Sequence, residues 1–325
     1  MNGFMTSKVL PMRLAWRQRL WLLRNLFDHP LGQVIYRRLQ IYSSFHRSPV
    51  YFAKKRDQII HLIDLAIDSG CSVSGSRVVE IGTGWVPLMP FILWLMGARE
   101  IHSVDLYRHL LPVSANRIIR WLVNDRDSIE MIRQRADEKH FGNRLAKALQ
   151  QTEPASLFDN PPMHYHAPAD ACSLELADRS VDLVLSNVTL EHIPAPTIAE
   201  LFEEMIRILK PSGRTVHLVD PSDHSSHHDP NISPVHFLRY DDATWEHLSG
   251  TGIAYHNRLR VPDYKKLIQA SSFRIERFDS TTNPKSLEDL KSFRPAEPRW
   301  REYSDDDLAK QYLTFVAAAD DRIQS

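Results

Sequence analysis

Val78-Val-Glu-Ile-Gly-Thr-Gly-Trp-Val-Pro87 (VVEIGTGWVP) is the stretch on which the reading of this 325-residue chain turns. An apolar, β-branched run suits a buried strand. Glu80 stands near its end, Gly82 and Gly84 follow two apart, and the apolar run "PLMPFILWLMGA" opens at Pro87. A glycine-rich turn between a strand and a helix lets backbone approach a ligand closely, because no Cβ intervenes. The dinucleotide-binding form of this turn has a third glycine and seats a pyrophosphate on the helix N-terminus. Here Trp85, Val86 and Pro87 stand instead, and an acid at the strand end repels a diphosphate. The stretch suits a ligand carrying positive charge.

Outward from this turn the pattern alternates. "EIHSVDLY" reads as a second strand, "MHYHA" as a third, "SVDLVLSNV" as a fourth and "RTVHLVDP" as a fifth. The helices between them are "PLMPFILWLMGA", with Pro87 in its first turn, and "PAPTIAELFEEMIRILKPSG", with Gly213 as its stop. "VPDYKKLIQASSF" is a further helix, and "RIERFD" and "YLTFVAA" are late strands expected to form a hairpin on an antiparallel edge. Strands alternating with helices imply an α/β fold, a Rossmann-like, doubly wound, mainly parallel sheet. Residues 108–160 read as a long polar helical insertion, and residues 1–74 as an N-terminal helical segment preceding a domain at 75–325.

An apolar fraction of 43% and a charged fraction of 25% belong to an ordinary globular protein. No run approaches the roughly 20 apolar residues of a membrane span, and no signal peptide is evident, so a cytoplasmic location is expected. Cys71 and Cys172 make neither a disulfide framework nor a zinc pattern. Charge is zero overall but uneven: residues 1–60 carry 11 Lys or Arg against Asp28 and Asp57, a surplus of +9. Arg13, Arg17 and Arg24 recur near helical spacing among leucines, which suits a lid with its apolar face on the catalytic domain. A membrane surface or a protein or homodimer contact is the less favoured use of the same helix.

Three further features follow Glu80 in order. Asp105 ends the second strand, 25 residues on, where a carboxylate can accept from vicinal ribose hydroxyls. Asp170, before Ala171, follows the third strand, within reach of an adenine amino group. "LSNVTLEHI" ends the fourth, placing the carbonyls of Ser186 and Asn187 at the ligand's ammonium. With "VVEIGTG", "HSVDLY", "PADACSLELADRSVDLVLSNVTLEHI" and "LKPSGRTVHLVD", the chain resembles the class I S-adenosylmethionine-dependent methyltransferases, in particular the bacterial small-molecule type (type 11/12-like). The resemblance spans about residues 75–320. It implies a seven-stranded sheet with an antiparallel last strand and S-adenosyl-L-methionine as cofactor. By motif match it places Glu80, Gly82, Thr83 and Gly84 at the methionine part, Asp105 and Leu106 at the ribose, and Asp170 with Ala171 at the adenine. It also implies methyl transfer to an O or N atom of a small metabolite, natural-product intermediate or sugar. A nucleic-acid substrate is not expected, since "SNVT" stands where amino-methylating nucleic-acid enzymes carry an Asn-Pro-Pro-Tyr type signature.

A hydroxyl or protonated nitrogen acceptor needs a base near neutral pH, and histidine suits that range. His192 follows the fourth strand, and "DPSDHSSHHDPNISPVHF" opens at the end of the fifth with Asp220, Asp223, His224, His227, His228 and Asp229. On a helix, His224 and His228 share a face; with His192 they are the catalytic candidates. Imidazole and carboxylate suit several divalent metals, but no recognised ligand spacing is matched, and no metal is expected. A D-x-x-D-H loop (220–224) followed by N-R-L-R-x-x-D-Y (257–264) is similar to methyltransferases acting on small metabolites and glycans. Arg258 and Arg260 are open to a substrate anion or to a fold-stabilising role, and Tyr240 and Trp245 are expected to be packing residues.

Overall fold

Alternate side chains of each strand serve alternate helical layers, as period-two geometry requires. Val78, Leu183, Leu185, Val216 and Leu218 enter one apolar core; Val79, Ile81, Val184, Val219 and Phe315 enter the other. The structure, a computed structural model, describes residues 16–27, 31, 32, 34, 35, 38, 48–159, 162–249 and 255–320. Arg13 and most of residues 34–42 lie outside them.

The strands are β1 Arg77–Ile81, β2 Glu100–Val104, β3 Met163–His166, β4 Val181–Asn187, β5 Leu209–Val219, β6 Phe273–Thr282 and β7 Lys310–Ala319. They form one sheet of order β3-β2-β1-β4-β5-β7-β6, in which β7 alone runs antiparallel to its neighbours. The doubly wound, seven-stranded arrangement expected from the sequence is present. The expected hairpin on an edge is corrected: β7 inserts between β5 and β6, and helices separate the two late strands in sequence.

Helices α1 Trp16–Phe27, α2 Pro49–Asp68 and α3 Leu88–Leu95 precede the insertion, which holds α4 Pro112–Asn124, α5 Arg126–Arg133 and α6 Glu138–Gln150. Pro87 is the N-cap of α3, one position before the expected first turn. The insertion is less polar in its packing than in its composition. Ile118, Ile119, Leu122, Ile132 and Phe141 are buried in the same core as Phe52, Ile59 and Ile63 of α2. Arg56 of α2 pairs with Asp125 at 2.9 Å, and Arg135 donates to both oxygens of Asp64, fastening α2 to the insertion.

On the opposite face lie α7 Ala195–Ile208 and α9 Val261–Ala270. The expected stop at Gly213 is corrected, since α7 ends at Ile208 and Leu209 is already extended. Residues 210–213 bulge from β5 opposite Asp182, and Gly213 has no positive φ. A Cβ there would meet Leu209 and the carbonyls of Lys210 and Asp182 at 2.9–3.1 Å. Close approach to backbone, rather than a helix cap, requires this glycine. A third cluster joins α1, through Leu20, to α8 Asp242–Ser249, α10 Pro284–Leu290 and α11 Asp305–Ala309 around Phe237, Leu238, Trp245 and Trp300. Trp245 and Tyr240 pack there as expected.

Candidate active site

Strand order reverses between β1 and β4, and the crevice beyond the carboxyl ends of such strands is where open α/β sheets bind ligands. Glu80 is 4% exposed at this edge. Its Oε2 accepts from Thr83 Oγ1 at 2.6 Å and from Ser103 Oγ, its neighbour across the ladder, at 2.8 Å. Burial outweighs both hydrogen bonds and pushes its pKa up to about 7. Asp105, also buried, accepts the Gly84 amide on both oxygens (3.1 and 3.0 Å) and the Tyr165 hydroxyl at 2.8 Å; burial raises its pKa to about 6. Tyr165 was not singled out in the sequence; its place two residues into an alternating strand, "MHYH", was the available signal.

Leu106 and Tyr107 are 62% and 53% exposed beside Asp105. Asp170 is exposed and Ala171 half-buried; the Ala169 amide bonds the Asp105 carbonyl at 3.0 Å, bringing this segment to the same rim. Ser186 is fully buried and its hydroxyl pairs with His217 Nδ1 at 2.6 Å, so its side chain belongs to the sheet. Asn187 ends β4 with a buried, unpaired Oδ1, and Val188 beside it adopts φ +54°, a strained conformation for a β-branched residue.

Gly82 (φ +82°) is fixed by this turn: an added Cβ would lie 2.4 Å from the Thr189 side chain, whereas at Gly84 (φ +62°) nothing stands within 4 Å. Gly82→Ala is therefore expected to cost about 2 kcal/mol more than Gly84→Ala. Equal urea midpoints for the two variants would contradict this packing.

The imidazoles converge, with one change of partner. Residues 224–227 form a 3-10 turn, so residues three apart eclipse. His224 stacks on His227 with centroids 5.0 Å apart, while His228 follows as the exposed C-cap. The face expected to be shared by His224 and His228 is thus corrected: it belongs to His224 and His227. His224 also meets His192 (5.0 Å) and His256 (4.4 Å). Sequence reasoning missed His256, although it abuts the Asn257 motif. Asp220 Oδ2 lies 3.6 Å from His227 Nε2 and 4.0 Å from His224 Nε2. Burial, then the neighbouring rings, holds His224 and His256 well below the usual histidine range, and desolvation by the surrounding protein lowers His192 too, although the residue keeps exposed surface. Glu191 is fully buried with neither carboxyl oxygen hydrogen-bonded among the described residues, and burial drives its pKa well up.

Residues 142–217 match the family model of a methyltransferase domain, a span running from α6 through β3, β4 and α7 into β5. In that span the chain is similar to a methyltransferase domain. Similar solved structures include a putative methyltransferase from Bacillus halodurans (14% identity, 79% of this chain and 95% of that one, TM-score 0.39). Another is geranyl diphosphate C-methyltransferase from Streptomyces coelicolor, solved with Mg2+, geranyl diphosphate and S-adenosyl-L-homocysteine (14%, 79% and 77%, 0.43). A third is magnesium protoporphyrin IX methyltransferase from Synechocystis, with bound S-adenosyl-L-homocysteine (11%, 82% and 83%, 0.42). No curated protein matches the sequence.

Beside this site the N-R-L-R segment is a brace. The Asn257 side chain donates to the carbonyls of Leu190 and Ile193 (2.8 and 2.9 Å), and its amide donates to that of Glu191 (3.0 Å), fixing the turn that carries His192. Arg258 and Arg260 are 3% and 1% exposed. Arg258 binds the Phe237 and Tyr240 carbonyls and Asp242. Arg260 binds the carbonyls of Pro221, Leu308 and Lys310, which decides between the two roles open in the sequence: both arginines hold the fold.

Proposed function

We propose that the protein transfers a methyl group from S-adenosyl-L-methionine to an O or N atom of a small molecule, a metabolite, natural-product intermediate or sugar. The observation that carries this reading is the pair of buried carboxylates, Glu80 and Asp105, at the ends of adjacent strands on either side of a glycine turn. When bound, the cofactor supplies a methyl group already activated on a sulfonium. The residues fit it. Glu80 offers a carboxylate to the ammonium end, and Asp105 faces the ribose. Leu106 and Tyr107 present apolar surface for the adenine to cover. Of the roughly four lone-pair sites on Asp105, three are taken by Gly84 and Tyr165, so a ribose diol replaces the Gly84 amide there.

The His192 Nδ1 partner is the Tyr255 carbonyl at 3.1 Å, which can only accept, so Nδ1 carries the proton and Nε2 its lone pair. His192 Nε2 is thereby placed to take the acceptor's proton, with His224 beside it; His228, exposed on the same loop, serves acceptor binding from outside the ring cluster. We read segment 1–74 as a lid over the 75–325 domain. Lys55 of α2 acts electrostatically on Glu191, His192 and His224, and Trp16 of α1 packs on His236 at 4.9 Å. Among the described residues no helix is long and apolar enough to cross a membrane.

The raised pKa values of Glu80 (about 7) and Asp105 (about 6) fix a sign. Both groups must shed protons to hold a cationic ligand, so affinity falls as pH drops through these values. S-adenosylmethionine is expected to bind about a hundredfold more weakly at about pH 5.5 than at about pH 8. Calorimetry across this range tests it; an affinity flat with pH counts against the assignment.

A further inference from the structure

We propose that His192, His224 and His256 form a binding site for a divalent transition-metal ion of the kind that prefers imidazole. Each offers a ring nitrogen, and the three nitrogens lie within 4.8 Å of one another. The second observation is His256, which is 7% exposed and, among the described residues, has no hydrogen-bond partner on either ring nitrogen. His224 Nε2 is also buried without a hydrogen-bond partner among the described residues. Buried polar atoms are almost always satisfied, and two adjacent rings that are not point to a missing ligand. With His192 Nδ1 held by the Tyr255 carbonyl, its Nε2 lone pair is available, which is how a backbone carbonyl commonly orients a metal-binding histidine. Asn257 locks the His192 turn to the segment bearing His256, so two of the three donors are preset by one side chain. Asp220, within 4.0 Å of both His224 and His227, supplies the negative charge that offsets Lys55 and the ion.

Three neutral imidazoles favour zinc, cobalt, nickel or iron over magnesium, which takes oxygen donors. Three protein ligands leave coordination positions open, the pattern of a catalytic rather than a structural site. Resting on the methyl-transfer reading, the ion's task is to take the acceptor's oxygen and lower its pKa. While the ion holds His192, the acceptor's proton passes to His227 or to solvent.

The test is titration of the chelator-treated, full-length protein with Co2+, followed by its visible absorption, and with Zn2+ by calorimetry. One ion per chain is expected, and His224→Gln and His256→Gln should each weaken it by about a hundredfold or more. His140→Gln, at an exposed position of α6, should leave it unchanged. Because His256→Gln could unfold the domain, His256→Cys is the companion: it should keep cobalt and add a thiolate charge-transfer band. No saturable uptake by the unaltered protein, or uptake by both glutamine variants as tight as that of the unaltered protein, overturns the proposal. S-adenosylhomocysteine binding measured on the same samples separates the readings. Metal uptake without nucleoside binding removes the methyl-transfer reading and leaves the ion site standing, and the converse removes only the ion.

Discussion

Arg260→Ala is expected to lower folding stability by about 3–5 kcal/mol, through a cavity and the loss of donors to buried carbonyls. The side chain is 1% exposed, and among the described residues no carboxylate pairs with it; its two terminal nitrogens donate to the carbonyls of Pro221, Leu308 and Lys310, while its buried Nε has no partner among them. Burial already lowers its pKa to about 10, so the charge is held against a desolvation cost. Lysine should not rescue it, because a single ammonium cannot reproduce a planar fork reaching separate carbonyls. Urea unfolding should show a lower midpoint with an unchanged slope. Since total stability is on the order of 5–15 kcal/mol, the variant stands near the threshold for folding. The Pro221 contact adds a second consequence: the loop bearing Asp220 and His224 loses its anchor. A midpoint within error of the unaltered protein would show that Arg260 is not the brace described.

Glu80→Gln should do two opposite things. The folded-state pKa of Glu80 is raised to about 7, so its protonated form stabilises the fold at low pH. That contribution is complete below the ordinary carboxylate range and is lost as pH rises through 7. At about pH 8 the buried charge therefore costs about 2–3 kcal/mol, which glutamine removes while Thr83 and Ser103, whose hydroxyls rotate, keep their bonds. The ligand-free variant should be the more stable at pH 8 and the two equal near about pH 5. Binding of S-adenosylmethionine should meanwhile weaken by about 2–3 kcal/mol, roughly 30- to 150-fold, as a charge-assisted bond is lost. Stability gained and affinity lost at one position is the signature of a functional acid. Thermal unfolding at two pH values, with calorimetry, reads both; a variant less stable at pH 8 would contradict the burial argument.

What the sequence displayed and what it hid follow from the range of the interactions. The glycine turn, Glu80 and Asp105 were legible because backbone conformation and strand periodicity are local. The place of β7 was not, since Ala317 pairs with Thr215 across about a hundred residues. The histidine loop was legible as chemistry but not as geometry. A 3-10 turn and an α-helix differ by less than a residue per turn, and that difference exchanges His227 for His228. His256 was hidden because its partners come from two separate segments, the His192 turn and the His224 loop. Arg258 and Arg260 looked equally suited to an anion, and only burial against carbonyls separates the cases. Gly213 resembled a helix stop because Lys-Pro-Ser-Gly punctuates both a cap and a bulge.

The claim on which the rest depends is that the acids along this rim hold a cationic nucleoside. Calorimetric titration with S-adenosylmethionine at about pH 8 tests it most directly, on the unaltered protein and on Glu80→Gln and Asp105→Ala. The account predicts one site per chain, weakened in each variant by about 1–3 kcal/mol. No heat of binding in the unaltered protein, or the same affinity in all three, would contradict it.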